Sequence, residues 1–188
     1  GTGAMAAVLG LDAAVVRETC AELSLGGAQV VEAVNFNDPK QIVIAGTRAG
    51  VDKACEVLKT RGAKRAMLLA VSAPFHSSLM KPAADRLKVR LAATAFAAPR
   101  IAVINNVDVR VNTDPEAIRD ALYRQAFGAV RWVELVQWLR LQGVTRMLEC
   151  GPGKVLAGTV KRIEPVMTVG SVFDPASLAA ACALGGVS

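Results

Sequence analysis

The chain is poor in the residues that usually carry metal, redox and stacking chemistry. It has 188 residues, only one of them histidine, and only 4% of them are aromatic. Its four cysteines, Cys20, Cys55, Cys150 and Cys182, lack the close spacing of metal ligands, so we expect no metal site. No apolar run approaches the ~18 residues of a membrane span. The sequence predicts a soluble globular protein without a membrane partner, and its unpaired thiols and missing secretory signal are typical of the cytoplasm.

The net charge of the chain is its first informative property. Lysine and arginine number 22 against 16 acidic residues, which gives a net charge of +6. Nucleic acid is a poor candidate for the partner, because the basic residues are dispersed and few aromatic rings are present for base stacking. We expect an acidic protein or a phosphate-bearing ligand instead. The basic pairs Lys64-Arg65 and Lys161-Arg162 are either solvated surface or docking sites for that partner.

Residues 1–72 form one predicted subdomain with the order βαββαβ. Short apolar runs, helical spacing and the Asn37–Lys40 turn signal define its elements. The predicted strands are Ala4–Leu11, Gln29–Asn37, Gln41–Ala45 and Arg65–Val71, and the predicted helices are Asp12–Leu25 and Ala49–Thr60. This order is the ferredoxin-like, split-βαβ arrangement.

Residues 73–188 have a different rhythm, in which strands alternate with helices. The predicted strands are Arg100–Val107, Thr145–Cys150 and Val166–Val172. The predicted helices are Lys81–Ala95, Asp114–Phe127, Trp132–Leu141, a segment that leads from Lys154 through Ile163, and Pro175–Leu184. This alternation predicts a parallel α/β sheet, and three strands are few for such a sheet.

The sequence contains no convincing nucleophile. A Gly-x-Ser-x-Gly elbow would be expected for acyl transfer on an α/β sheet, and the nearest approach, around Ser24, has Glu22 in place of the first glycine and ends a predicted helix. Cys150 follows a strand, but we interpret it as a packing residue. The Gly151–Lys154 segment is too short for a Walker loop, and we interpret it as a tight turn lining the floor of an active site.

His76 is the residue whose context points to chemistry. An apolar run, Met67–Val71, leads to Pro74, and a helical pattern begins at Lys81. The imidazole therefore lies on a loop between a strand and a helix, where scaffolds usually present reactive groups. A neutral imidazole is the common choice for moving a proton near neutral pH.

Five stretches together resemble one family. They are Met5–Leu11, Val34–Gly46, Pro74–Met80, Asn105–Asp108 and Gly151–Leu156. In combination they are similar to malonyl-CoA:acyl carrier protein transacylases of fatty acid synthesis, and to the acyltransferase domains of polyketide synthases. The resemblance implies a ferredoxin-like small subdomain, followed by the C-terminal part of a larger hydrolase-like α/β subdomain.

The resemblance also implies roles for individual residues. His76 matches the family's catalytic histidine, which exchanges a proton with a serine nucleophile and a thiol leaving group. Gln125 matches the position whose backbone carbonyl orients that histidine. Phe75 resembles the malonyl-selecting variant of the loop, in which a bulky ring excludes an α-methyl group. Asn37 is a candidate substrate contact at the edge of the cleft.

The partners implied by the family are a coenzyme A thioester and acyl carrier protein. Lys64 and Arg65 match the region proposed to meet the acidic carrier, which accounts for the basic charge. Malonyl-CoA would be a substrate, and no resident cofactor is expected.

The chain departs from the family in one large respect. The nucleophile elbow, the arginine that pairs with the malonyl carboxylate and the oxyanion-hole glutamine are not found among these residues. We therefore expect the chain to be part of a longer protein and to be inactive by itself. The alternative is a non-catalytic module that binds acyl carrier protein. A nucleic-acid-binding ferredoxin-like protein is disfavoured, since Phe36 is the only aromatic residue before position 73.

Overall fold

The computed structural model describes residues 3–185. Its strands are β1 (Gly3–Leu9), β2 (Val31–Asp38), β3 (Gln41–Thr47), β4 (Arg65–Leu68), β5 (Ile104–Asn105), β6 (Arg110–Val111), β7 (Arg146–Cys150) and β8 (Thr168–Val172). Its helices are α1 (Ala13–Ser24), α2 (Arg48–Thr60), α3 (Lys81–Ala92), α4 (Pro115–Gln125), α5 (Trp132–Leu141), α6 (Val155–Ile163) and α7 (Pro175–Gly185). A 3-10 turn (Ser78–Met80) precedes α3.

Contacts divide the chain into two compact units, Gly1–Trp132 and Val133–Ser188. The predicted subdomain boundary between residues 72 and 73 falls inside the first of these units and stays a prediction.

The first unit begins with the predicted ferredoxin-like subdomain. Its antiparallel sheet has the order β2-β3-β1-β4, with α1 packed against β2 and α2 against β1. This is the split-βαβ arrangement, and the predicted fold class is confirmed. Helix α2 begins where the hydroxyl of Thr47 accepts a hydrogen bond from the Gly50 N–H, a normal N-cap.

The core of this subdomain lies between the sheet and the two helices. It is built from small and β-branched side chains such as Val8, Val16 and Ile44, which are fully buried. The packing is tight enough to require glycine at position 46, because a Cβ atom there would lie 1.9 Å from the carbonyl oxygen of Val30. A close-packed core of this kind holds the sheet rigidly.

Strand β2 contains a β-bulge, and its outer edge forms hydrogen bonds with another segment of the chain. Its register against β3 shifts between Ala33 and Asn35, so that Val34 has no partner on β3. Such a β-bulge redirects the backbone of the extra residue. Here the free edge of β2 pairs instead with Val130, whose N–H donates to the Val34 carbonyl at 2.8 Å and whose carbonyl accepts from the Phe36 N–H at 3.0 Å.

The predicted strand Arg100–Val107 is largely wrong. Only Ile104–Asn105 is a strand, and it pairs antiparallel with Arg110–Val111 as a short hairpin. The apolar side chains of Ile101 and Val103 are 81% and 60% exposed. An apolar run becomes a strand only where a neighbouring strand pairs with it, and in the described part of the chain only the two-residue β6 pairs with this run.

The second unit contains a parallel pair of strands, β7 and β8, in register from Arg146 opposite Thr168 to Cys150 opposite Val172. Helix α6 connects them, so the predicted parallel α/β connection is confirmed here. The packing role expected for Cys150 is wrong, because this cysteine is exposed. Within residues 3–185, no helix has the length and apolarity needed to cross a membrane.

Candidate active site

His76 sits in a strained turn. Residues 74–77 form a tight turn closed by the Ser77 N–H, which donates to the carbonyl of Pro74 at 3.3 Å. His76 is the third residue of the turn and has φ of 65°, the left-handed conformation that a type II turn requires at this position. A residue other than glycine held in this region costs about 1–3 kcal/mol and is found most often at functional sites.

Neighbouring groups hold this turn in place. Ser77 is fully buried, and its hydroxyl donates to the Pro74 carbonyl at 2.6 Å. The Pro74 ring lies against β1 where Gly3 leaves room for it, since a Cβ atom at Gly3 would be 2.5 Å from Pro74 Cδ. The turn is therefore fixed from within and against the central strand of the sheet.

The imidazole is oriented by a backbone carbonyl. His76 Nδ1 lies 3.0 Å from the carbonyl oxygen of Gln125. A carbonyl can only accept a hydrogen bond, so the neutral ring must carry its proton on Nδ1. The Nε2 lone pair is then free to take a proton from a nucleophile. The structure thus brings together the two residues that were predicted to form this pair.

Gln125 can offer its carbonyl because of where it lies. It is the last residue of α4, and the last carbonyls of a helix have no partner within the helix. The segment that follows turns sharply at Gly128, where a Cβ atom would be 2.7 Å from the Arg124 carbonyl oxygen and 2.8 Å from Val107 Cγ2. The free carbonyl is directed to His76 as the chain leaves the helix.

An ion pair fixes the end of α4 to the β5–β6 hairpin. Arg124 donates two hydrogen bonds to the Asp108 carboxylate, at 2.6 and 2.7 Å, and its Nε donates to Asp120 at 2.6 Å. These hydrogen bonds from Arg124 lower the pKa of Asp108 below its usual range. The hairpin turn itself is strained, because Val109 is buried and has φ of 57°.

A cavity of about 420 Å³ lies beside Gln125, with a mostly apolar lining that includes Val103, Ile104 and Leu122. Two of the lining side chains have a buried oxygen without a hydrogen-bond partner among the described residues, Asn106 Oδ1 and Gln125 Oε1. Leaving a buried acceptor unpaired costs about 1–3 kcal/mol, so these two oxygens are an unfavourable feature of the cavity wall.

The other predicted site residues are placed individually. Phe75 lies next to His76 in the turn and is 41% exposed. Asn37 lies near the end of β2 and is half-buried. Lys64 and Arg65 are exposed where β4 begins, and the described residues provide neither of them with an ion-pair partner. The structure brings none of these four into hydrogen-bonding contact with the imidazole.

The buried thiols are unsuited to serve as the nucleophile. Burial raises the pKa of Cys20 to about 12 and also raises the pKa of Cys55, so both remain protonated at neutral pH. A protonated thiol is a weak nucleophile. Among the described residues, the site therefore consists of an imidazole with its proton on Nδ1 and its Nε2 outside that hydrogen bond.

Three residues near the site were missed by the sequence reasoning: Glu32, Asp108 and Arg124. Glu32 accepts a hydrogen bond from the Ser78 N–H at 2.8 Å. The Asp114-Pro115 start of α4 allowed the helix to be predicted, and with it the position of Arg124 on its last turn. No local pattern marks the partners, because their contacts join distant parts of the chain.

The structure thus combines a ferredoxin-like subdomain with an imidazole whose Nδ1 is directed at a backbone carbonyl. The chain belongs to the acyl transferase domain family, whose model matches residues 1–164. The family resemblance drawn from the sequence is confirmed.

Relatives of known name are similar over nearly all of the chain. The malonyl CoA-acyl carrier protein transacylase of Escherichia coli (strain K12) is 50% identical over 184 residues, which are 98% of this chain and 59% of that protein. The transacylase of the same name from Bacillus subtilis (strain 168) is 43% identical over 178 residues, which are 95% of this chain and 56% of that protein. The chain thus spans less than two thirds of the length of these relatives.

Two solved structures have folds closely similar to that of this chain. An acyl-carrier-protein S-malonyltransferase from Burkholderia pseudomallei 1710b has a TM-score of 0.93 and 61% identity, over 96% of this chain and 58% of that one. A malonyl-transacylase in complex with its type II PKS acyl-carrier protein also has a TM-score of 0.93, with 48% identity over 99% of this chain and 59% of that one.

Proposed function

We propose that this chain supplies the proton-transfer half of an acyltransferase that moves malonyl from malonyl-CoA to the phosphopantetheine thiol of acyl carrier protein. His76 accepts the proton of a serine hydroxyl as the serine attacks the thioester carbonyl, and a malonyl-serine ester forms. The protonated imidazole then gives the proton to the departing coenzyme A thiolate. The carrier thiol attacks the ester in the second half-reaction, with His76 again as base and then as acid.

The observation that carries this proposal is the 3.0 Å contact between His76 Nδ1 and the Gln125 carbonyl. This contact leaves Nε2 unprotonated for the base step. A carbonyl acceptor also stabilises the imidazolium formed in the transition state, because Nδ1–H donates more strongly when the ring is charged. The nucleophilic serine is not among these residues, so the 188-residue chain alone is expected to be inactive.

Selectivity and carrier binding belong to the same proposal. Phe75, exposed beside His76, restricts the space for an α-methyl group on the acyl chain, and Asn37 contacts the substrate from β2. The exposed cations Lys64 and Arg65 meet the acidic carrier. Coenzyme A thioesters are substrates here, and no resident cofactor takes part. The four cysteines are free thiols, which supports a cytoplasmic location in fatty acid synthesis.

The decisive experiment is a chimera in which this chain replaces the matched segment of the Escherichia coli relative. The unmodified chimera is expected to transfer malonyl from malonyl-CoA to carrier protein. His76→Ala should lower kcat by about 10²–10⁴-fold, the usual contribution of general acid–base catalysis. Equal activity of the two chimeras would refute the role of His76. Transfer by a preparation containing only the 188 residues would refute the requirement for an external serine.

A binding module without catalysis is the second candidate, and the unpaired cations Lys64 and Arg65 favour it. This function predicts that the 188-residue chain binds carrier protein while the chimera transfers no malonyl. Measuring carrier binding by the chain alone, beside transfer by the chimera, separates the two functions.

A further inference from the structure

We propose that Glu32 is a positioning residue, which ties the His76 turn to the strand that also holds the Gln125 segment. The expected effect of Glu32 on catalysis rests on the proposed function, but its expected effect on the orientation of the imidazole does not. The Glu32 carboxylate accepts a hydrogen bond at 2.8 Å from the Ser78 N–H, two residues beyond His76 in the chain.

The same strand holds the other partner of the imidazole. Two backbone hydrogen bonds join Val130 to Val34 and Phe36 of β2, and Val130 lies five residues after Gln125. Strand β2 therefore contacts both segments that meet in the Nδ1–carbonyl bond, one through backbone and one through a side chain. The backbone contact survives any side-chain change, so Glu32 is the contact that substitution can remove.

An acceptor from another part of the chain is needed at this position because the Ser77 hydroxyl, the local capping group, donates elsewhere. Ser77 is the N-cap of the 3-10 turn but makes no capping bond with its side chain, since its hydroxyl donates to Pro74. The first N–H groups of a helical segment have no acceptor within the segment, and the helix dipole favours a negative charge there. Glu32 supplies that acceptor and charge from 46 residues earlier in the chain.

The consequence for His76 follows from its strained backbone. A φ of 65° persists only when the surroundings determine it, and the Glu32 bond at Ser78 adds to the contacts within the turn that do so. Without this bond, we expect the segment at Ser78 to shift and the imidazole to move away from the Gln125 carbonyl. The preference for the Nδ1–H tautomer is then lost.

The single histidine makes this effect directly measurable. In the 188-residue chain labelled with ¹⁵N at histidine, the two imidazole nitrogens report the tautomer without assignment ambiguity. The unmodified chain is expected to show one neutral tautomer, protonated at Nδ1. Glu32→Ala and Glu32→Asp are expected to give a mixture, because the shorter aspartate cannot span the contact. Glu32→Gln keeps the reach and an acceptor oxygen, so it should retain most of the Nδ1–H signal.

Glu56→Gln is the matched control, since Glu56 is an exposed glutamate on α2 whose ion-pair partner among residues 3–185 is Lys53. It should leave the tautomer unchanged. Glu32→Asp keeps the charge while shortening the side chain, and Glu32→Gln does the reverse, so the pair separates reach from charge even if Glu32→Ala fails to fold. A retained Nδ1–H tautomer in Glu32→Asp, or a mixture in the unmodified chain, would overturn the proposal.

The same variants in the chimera test the catalytic meaning. Glu32→Asp is expected to lower kcat by about 10- to 100-fold, the cost of a misplacement near 1 Å, while KM changes little. Glu32→Gln should restore most of kcat. If the unmodified chimera is inactive but the tautomer shifts as expected, the proposed function fails and the positioning role stands. If the chimera is active and Glu32→Asp changes neither readout, only the positioning role fails.

Discussion

The ion pair between Asp108 and Arg124 should contribute measurably to stability, and Asp108→Asn tests its size. The two hydrogen bonds of 2.6 and 2.7 Å join side chains that are 25% and 35% exposed. Hydrogen bonds to charged groups contribute about 1.5–3 kcal/mol. Solvent screening reduces this value at partly exposed sites, and Arg124 retains Asp120 after the substitution. We therefore expect Asp108→Asn to lower the free energy of unfolding by about 1–2 kcal/mol.

The pH dependence of this loss gives the sharper test. The hydrogen bonds from Arg124 lower the pKa of Asp108 in the folded chain. A lowered folded pKa means that the stabilisation is fully present above the unfolded value, near 3.9, and is lost as the pH falls through the folded value. The gap in stability between the unmodified chain and Asp108→Asn should therefore be constant near neutral pH and shrink below about pH 4.

Urea unfolding at a series of pH values measures this gap. Asp120→Asn is the matched control: it removes a single hydrogen bond to the same guanidinium from a carboxylate that is 59% exposed. Exposed pairs four residues apart on a helix contribute only about 0.3–0.5 kcal/mol. A gap for Asp108→Asn that stays constant down to pH 2, or that is no larger than the gap for Asp120→Asn, would refute the reasoning.

Three further outcomes are expected. Gln125→Met should leave the histidine tautomer unchanged, because the backbone carbonyl is the acceptor and the side chain makes only a weak 3.4 Å contact to Gly128; a tautomer mixture by ¹⁵N NMR would contradict this. Phe75→Ala in the chimera should raise kcat/KM for methylmalonyl-CoA relative to malonyl-CoA by about tenfold or more, and an unchanged ratio in competition assays would argue against a selective role. Reversing both Lys64 and Arg65 to glutamate should slow carrier association and weaken its salt dependence, as followed by stopped-flow; identical rates would place the carrier elsewhere.

The ferredoxin-like half could be predicted because its signals are local. Short continuous apolar runs mark β1 and β3, and the Asn37–Lys40 turn marks the hairpin between β2 and β3. In the structure this turn is held by the Asp38 carboxylate, which accepts from the Lys40 N–H at 2.8 Å. Each element carries its own pattern and pairs with a neighbour inside the first unit, so pattern and structure agree.

The strand predicted at Arg100–Val107 is largely wrong because strand formation there depends on a pairing partner elsewhere in the chain. An apolar run indicates only that the segment is suited to burial in a sheet. Whether the segment becomes a strand depends on a pairing partner, which the sequence of the run does not specify. Within residues 3–185 the run pairs only through Ile104–Asn105. Cys150 was misjudged for a related reason, since its burial also depends on what covers β7.

The residues of the site likewise divide into those marked by local sequence patterns and those defined by contacts with distant residues. His76 could be predicted as a site residue because the residues on either side of it indicate a loop between a strand and a helix. Glu32 and Asp108 contact their partners across 46 and 16 residues, and nothing near either of them in the sequence points to the other end of its contact. Sequence patterns could place the imidazole, but not the groups that hold it.

The Gln125 carbonyl is the clearest case, because a backbone acceptor has no side-chain identity to be recognised. Every residue has a carbonyl, so only its geometry makes this one useful: α4 ends at Gln125, and the next segment is held away by Gly128 and by the β2 edge at Val130. A carboxylate in its place would have been visible in the sequence. It would also have added a second titrating group beside the imidazole. A carbonyl accepts the Nδ1–H hydrogen bond and stays neutral at every pH, so the tautomer of His76 is set by the path of the backbone at Gln125.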